Sequence, residues 1–408
     1  MDNHPFQVGG TLLAGMPVYI ERQADEQAYF HLVRMDYPLT LIETRQQGKT
    51  SLINNLIGRF RNDNYVFAYA SIEILASRQI DEAAWYTHLA HGLLRQIRFV
   101  PDSKRLLAPK NGAEWFNFLS ELAELAAQVN QNLVIALDEI AGAPPDWATD
   151  FFAAIRATYT YRQVQPVFQR LTFILAGAYN PRTLIKNSNI SPFNIAQQVH
   201  LEDFTTEQVR LLTTHLSESP EVQALLAERI HYWTDGQPYL AHCLCRALVG
   251  QPLTVASVDA AVERLRREDN NHLPHVFAFS HNQKLMEYVK QVATGAAFGF
   301  APTQSSQQMR LTLMGIIKAD EQGQCKIRNR LYEQALAYLE GAPEDPPWFF
   351  AKSHRDTIKK RIIKCMRRLQ ILKDRQALKG INTEPEILIE IEDIEAEIEK
   401  LQTELSKI

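Results

Sequence analysis

The chain has 408 residues, of which 46% are apolar and 22% charged; that length and balance suit about two or three soluble globular domains. Its 43 basic and 47 acidic residues leave a net charge of −4, which argues against a protein that coats nucleic acid over its whole surface. Cys243, Cys245, Cys325 and Cys365 are too few for a disulfide framework and read as reduced thiols of a cytoplasmic protein.

The opening MDNHPFQVGG lacks a basic region and a long apolar run, so no secretion signal is expected. Nor is there a membrane span, which needs about eighteen apolar residues in a row. Residues 1–20 are apolar without clear periodicity, and 24–35 read as a helix. Residues 39–42 (Leu-Thr-Leu-Ile) fit a buried strand, followed by a polar loop and a helix carrying Leu52, Leu56, Ile57 and Phe60. Residues 65–70 are a second strand, and helices are expected over 82–99 and 112–129. The runs Leu133-Val134-Ile135-Ala136-Leu137 and Leu171-Thr172-Phe173-Ile174-Leu175-Ala176 are continuous and apolar, as in strands covered on both faces. Strands alternating with helices predict an α/β fold with a parallel sheet.

Beyond residue 202 the strand signal fades. Helices are expected over 205–266, with breaks at 216–220, 235–238 and 250–254. Residues 282–340 hold helices and a hairpin that turns at Asp320-Glu321-Gln322-Gly323, an order that suits a winged helix. Residues 341–347 are a linker by composition. Past it, Ile358, Ile362, Cys365, Leu369 and Leu372 form one heptad seam, and Ile387, Ile391, Ile394, Ile398, Leu401, Leu405 and Ile408 form another. Gly380 ends the first helix, and Thr383 with Glu386 caps the second. Residues 352–379 carry a net charge of +9 and residues 380–408 carry −7. An antiparallel coiled-coil hairpin of opposite charges follows. It is either a solvated hairpin or a module for assembly or for docking an effector or sensor protein. The expected domains are 1–202, 203–270, 271–342 and 343–408.

Between the first strand and its helix lies Glu43-Thr44-Arg45-Gln46-Gln47-Gly48-Lys49-Thr50, the position of a phosphate-binding P-loop. The tripeptide Gly48-Lys49-Thr50 is common by itself; the strand before it and the helix after it give it meaning. Backbone N–H groups at the helix start favour an anion. Lys49 would reach the β- and γ-phosphates, Thr50 would hold Mg²⁺, and Ser51 adds a phosphate hydrogen bond. Glu43 stands where the motif has its first glycine, so its carboxylate must point away or meet Arg45. Asp138 and Glu139, at the end of an apolar strand, would hold the magnesium and activate the attacking water. Asn180 and Arg182 follow the strand at 171–176, where a polar group would sense the γ-phosphate.

These residues carry a family resemblance. Tyr19-Ile20-Glu21-Arg22 before the P-loop and Gly236-Gln237-Pro238 in the helical region resemble motifs of the signal-transducing STAND ATPases. Residues 45–52, Asp138-Glu139-Ile140 and 191–195 resemble the bacterial AAA-like group within that class, and Met309-Arg310-Leu311 with residues 327–332 resembles its winged helix. The resemblance covers about residues 17–340. It implies ATP as the nucleotide, Tyr19 and Arg22 beside adenine and ribose, Pro238 packed on the base, and a slow ATPase acting as an assembly switch in bacterial signalling or defence. Two alternatives stay open: a non-hydrolysing scaffold that recruits a partner through its hairpin, and a regulator of a DNA transaction. The acidic helix beside the basic one weighs against direct nucleic-acid binding. His242, Cys243 and Cys245 lack the converging ligands of a zinc site.

Overall fold

The computed structural model describes residues 5–6, 9–61, 63–76, 80–100, 106–185, 187–268, 272–341 and 369. The described residues fall into two compact units, one within Met1–Ala261 and Gly295–Arg330, the other within Val262–Thr294 and the helix that follows from Leu331. The expected hairpin within 343–408 lies outside the described residues apart from residue 369.

In the first unit, α1 (Gln23–Arg34), β1 (Leu39–Ile42), α2 (Lys49–Arg59), β2 (Tyr65–Ser71), α3 (Ile72–Ala76), α4 (Glu82–Leu94), α5 (Gly112–Gln128), β3 (Asn132–Asp138), α6 (Pro145–Thr160), β4 (Leu171–Gly177), α7 (Pro181–Leu184) and β5 (Gln197–Gln198) build an α/β core. The five strands pair in the order β2-β3-β4-β1-β5, and every pairing is parallel. β3 and β4 are apolar runs because helices cover both faces. Leu133, Ile135 and Leu137 pack with Trp85, Trp115 and Phe151 from α4, α5 and α6. Val134 and Ala136 face the other way, toward Ala28, Leu52 and Leu56 from α1 and α2. The alternation along one strand thus serves two cores.

The registers put the strand ends together. Ile42 pairs with Gly177, Leu137 with Leu175, and Ser71 with Asp138. The loops after β1, β3 and β4 therefore open on one edge of the sheet, where open α/β sheets place their ligands.

Four helices follow: α8 (Thr206–Thr213), α9 (Pro220–Thr234), α10 (Pro238–Leu248) and α11 (Val255–Glu268). Their starts are written in the sequence. Thr205 forms a capping box with Gln208, Ser219 caps α9, and the Gln237 side chain accepts from Leu240 N at the start of α10. In the second unit, α12 (His272–Val276) and α13 (Gln283–Ala293) come next. The chain then returns to the first unit with α14 (Ser306–Met314) and the antiparallel hairpin β6 (Ile317–Ala319) and β7 (Cys325–Ile327). α15 (Arg330–Gly341) begins at the boundary. Inside the second unit, the His272 ring bonds to the Tyr332 hydroxyl at 2.6 Å; both residues are buried, so His272 serves packing.

The helical breaks expected near 216–220, 235–238 and 250–254 fall between observed helices. Sequence reading overlooked α6 and the two-residue edge strand β5. Among the described residues, no helix is long and apolar enough to cross a membrane.

Candidate functional site

The loop of residues 43–48 joins β1 to α2, and its geometry explains its residues. Gly48 caps α2 with φ +92°, and a Cβ there would lie 3.0 Å from the Arg22 guanidinium. The positive φ favours glycine, and a Cβ would in addition press on the end of the Arg22 side chain. Gln46 also sits in the left-handed region, at φ +61°, which costs a non-glycine residue about 1 kcal/mol or more. Glu43 is not among the residues of positive φ, so its backbone does not require the motif's usual glycine. Its carboxylate turns toward β5, accepting from Leu201 N at 3.2 Å and meeting the His200 ring at 3.1 Å. That hydrogen bond raises the His200 pKa against the effect of burial. Arg45 is not its partner; it pairs loosely with Glu73 at 3.7 Å on the surface.

Lys49 is buried, and its Nζ donates to the carbonyls of Glu43 at 3.1 Å and Thr44 at 2.8 Å. Burial lowers its pKa, while Glu139, Asp138 and Glu43 oppose that shift. The Thr50 hydroxyl donates to Asp138 Oδ2 at 2.6 Å, and Tyr69 donates to the same oxygen at 3.1 Å. Glu139 N donates to Asp138 Oδ1 at 2.8 Å. Glu139 itself is held at φ +49°, ψ +45°, a strained conformation stabilised by that bond. Burial raises the Glu139 carboxyl above its ordinary pKa, although Lys49 pulls it back in part. A hydroxyl and a carboxylate 2.6 Å apart are hard oxygen donors of the kind that could hold Mg²⁺. Among the described residues no group of three or more His, Cys, Asp or Glu forms a metal cage.

A cavity of about 290 Å³ runs from this loop to the helical region. Gly48, Lys49, Thr50, Ser51 and Glu139 line one part of it, and Tyr19, Ile20, Phe204, Pro238, Tyr239 and His242 line another. Arg22 and Gln46 contribute to its wall; Thr44, Arg45, Gln47, Asp138 and Asn180 do not line it. Asn180 caps α7, accepting from Arg182 N at 3.1 Å. The Tyr19 hydroxyl donates to Asp25; Asp25 in turn accepts from Asn55 of α2 at 2.9 Å. Burial, followed by the charge of Asp25, raises the Tyr19 pKa. Arg22 donates to Gln47 O at 3.0 Å and Glu202 O at 3.3 Å.

Sequence reasoning missed several residues here. Gly9, Gly10, Thr11 and Leu12 return to line the cavity, tied to α2 by Leu12 N donating to Ser51 Oγ at 3.1 Å and by Asn54 donating to Leu12 O at 3.1 Å. The buried Arg328, just after β7, donates to Gln47 Oε1 at 2.8 Å and to Asp203 Oδ1 at 2.6 Å. Lys318 bridges Asp203 and Asp235 at 2.8 and 3.1 Å, and Lys326 reaches Asp235 at 2.8 Å. Burial alone would raise the Asp203 carboxyl, but Arg328 and Lys318 hold it below the ordinary range. No local pattern announces this ion-pair cluster, because its members lie in separate segments.

A family model for the AAA-like domain matches residues 8–338. The chain belongs to the AAA-like domain family. An uncharacterized WD repeat-containing protein of Synechocystis is 30% identical over 271 residues, which is 64% of this AAA-like chain and 22% of that protein; the chain thus spans about a fifth of its relative's length. Among solved structures, a Walker-type ATPase of Pyrococcus abyssi has a TM-score of 0.57 at 16% identity, covering 78% of this chain and 96% of that one. Cdc6p from Pyrobaculum aerophilum has a TM-score of 0.40 at 13% identity, covering 81% and 98% respectively. At these identities the likeness to the Walker-type ATPase is one of fold: this AAA-like domain has a P-loop ATPase fold.

Proposed function

We propose that this AAA-like domain binds ATP with Mg²⁺ and acts as a STAND-like nucleotide-dependent assembly switch in bacterial signalling or antiviral defence, with slow hydrolysis. One observation carries the reading: a single cavity is lined both by Gly48, Lys49, Thr50 and Ser51 at the start of α2 and by Pro238, Tyr239 and His242 of α10. A triphosphate on the loop would extend its nucleoside toward α10, so that one ligand touches two elements. A ligand moves an equilibrium between two states only by contacting them unequally.

On this reading the N–H groups at the start of α2 cradle the phosphates. Lys49, whose ammonium is now satisfied by two loop carbonyls, would pass to phosphate oxygens. Thr50 and Asp138 would hold Mg²⁺, which supplies neutralisation of phosphate charge when bound. Glu139, lining the cavity with a raised pKa, suits a group that orients and deprotonates water. Gln47 and Thr44, gripped by Arg328, would relay the loop's state to the β6–β7 hairpin. We read α13, α14, the β6–β7 hairpin and α15 as a winged helix by their order. The hairpin within 343–408 is proposed as the docking site for a second copy or an effector.

The test combines ATP binding, phosphate release and native mass measurement on the full chain and on Lys49→Ala. The expected result is ATP-dependent assembly that the variant loses along with binding. An ATP affinity unchanged by Lys49→Ala would remove the site assignment, and a mass unchanged by ATP would remove the assembly role.

A further inference from the structure

A second cavity, of about 690 Å³, opens at the edge of the sheet where the strands start, opposite the P-loop. The turn from α1 into β1 lines one side of it; Asn132, Arg162 and Arg170, beside the starts of β3 and β4, line the other. Arg34, Arg162 and Arg170 stand there against one carboxylate, Asp36, a surplus of two positive charges. Asp36 is already engaged by Arg34 Nε at 2.9 Å. Among the described residues neither Arg162 nor Arg170 forms an ion pair. The half-buried Arg162 donates instead to the backbone carbonyls of Met35, of Asp36 at 2.9 Å and of Leu171 at 2.7 Å. Arg170 donates to the side-chain oxygens of Asn132 at 3.0 Å and Asn130 at 2.8 Å. Neutral oxygens satisfy those N–H groups and leave the charge uncancelled, whereas partly buried charges are ordinarily paired. Elsewhere in this chain they are: Arg328 sits on Asp203, and Arg229 on Asp259.

We propose that this cavity is a second anion site, which takes the doubly charged phosphate group of a small phosphorylated ligand. A phosphate monoester carries close to two negative charges at neutral pH, so one group cancels the surplus; a carboxylate brings only one charge. Each guanidinium has five N–H donors in a planar fork that matches phosphate oxygens. Arg34 spends only its Nε on Asp36, and its side chain is 58% exposed, so both of its Nη groups are open to a ligand. Arg170 has given one bond from each Nη and keeps the remaining hydrogens. Arg162 is a positioning residue: its carbonyl bonds tie the turn before β1 to the start of β4, and its charge stands fixed beside the other two. The volume leaves room beyond one phosphate for the rest of a small ester, against Val33 and Tyr37. The inference does not rest on the nucleotide reading, because the P-loop lies at the strand ends and this cavity at the strand starts.

The experiment measures binding of inorganic phosphate, with succinate as the carboxylate comparator, by equilibrium dialysis at pH 8. It uses the full chain carrying Lys49→Ala, so that the P-loop does not obscure the result. That chain is expected to bind phosphate at millimolar concentration, and more tightly than succinate. Adding Arg34→Gln or Arg170→Gln should weaken phosphate by about tenfold or more, the size of a hydrogen bond to a charged group. Arg34→Lys, which keeps the charge and loses the fork, should fall between. Arg34 is exposed, so its replacement leaves the fold intact and the loss is one of binding. A Lys49→Ala chain that binds no phosphate overturns the proposal. So does phosphate binding that both glutamine substitutions leave unchanged. Succinate bound more tightly than phosphate overturns the choice of ligand.

Discussion

Single residues in the site carry opposite electrostatic assignments. Lys49 is depressed by burial and Glu139 is raised by it, so the two charges that stabilise each other are both poised to change with their surroundings. If Glu139 acts as the base, its carboxylate is the working form. Activity is then lost as pH falls through a pKa above the ordinary glutamate value of about 4.3. We expect the acidic limb of the phosphate-release profile to lie above that value in the wild-type chain. Glu139→Gln should keep ATP binding and lose hydrolysis; normal turnover in that variant would free Glu139 of its role. Gly236 offers a purely structural counterpart. Its φ is +74°, and a Cβ would stand 1.9 Å from the Phe204 carbonyl oxygen. Gly236→Ala should therefore destabilise the chain by about 2 kcal/mol or more, through clash and backbone strain together. Urea unfolding measures this, and a loss near zero would show that the Phe204 backbone yields freely. Of these residues, Lys49 and Glu139 were legible because motif spacing places them; Gly236 was legible as part of a motif, but its physical reason, the Phe204 carbonyl, was not.

At the scale of elements, the β6–β7 hairpin and Arg328 after it reach the P-loop through hydrogen bonds to Thr44 and Gln47, beside ion pairs to Asp203 and Asp235. Arg328 is nearly fully buried against Asp203, with side chains 8% and 15% exposed. Removing one partner of such a pair leaves the other charged and unpaired, at a cost of about 3 kcal/mol or more. Arg328→Ala is therefore expected to lower the unfolding free energy by about that amount. It should also free Gln47, which accepts from Arg328, and speed nucleotide release; equal stability with equal release rates would show that the contact is incidental. The sign of the pH effect follows from Asp203, whose pKa is depressed in the folded chain. Its contribution is fully present above the unfolded aspartate pKa of about 3.9 and is lost as pH falls through the lower folded value. Asp203→Asn should remove that acid-dependent loss. Element boundaries themselves were largely legible, since caps such as Thr205 and Ser219 and the unbroken apolar runs of β3 and β4 are local signals. α6 was legible too and was overlooked: Gly142-Ala143-Pro144-Pro145 breaks the chain after β3, and Pro145 stands in the helix's first turn.

For the whole molecule, the decisive quantity is how strongly a nucleotide couples to folding. A ligand that binds only the native state at a hundred times its dissociation constant adds about 2.7 kcal/mol of stability. ATP with Mg²⁺ should raise the melting temperature of the full chain accordingly, and Lys49→Ala should show no such rise. A wild-type melting temperature indifferent to ATP at millimolar concentration would count against the site as a whole. The hairpin expected within 343–408 enters here through mass: assembly that survives removal of that segment would place the contact elsewhere on the chain.

The sequence by itself determined the α/β class, the loop at 43–50, the acidic pair at 138–139, and the helices after residue 202. Each of these depends on local spacing, on caps, or on apolar periodicity within a few turns of chain. Only the tertiary structure decided where Glu43 points, that residues 9–12 return to the site, that Arg328 holds Gln47, and that His242 of α10 lines the same cavity as the P-loop. Those contacts join segments far apart along the chain. Their partners are set by strand order and by the folding of the helical region onto the sheet edge, which no local pattern encodes.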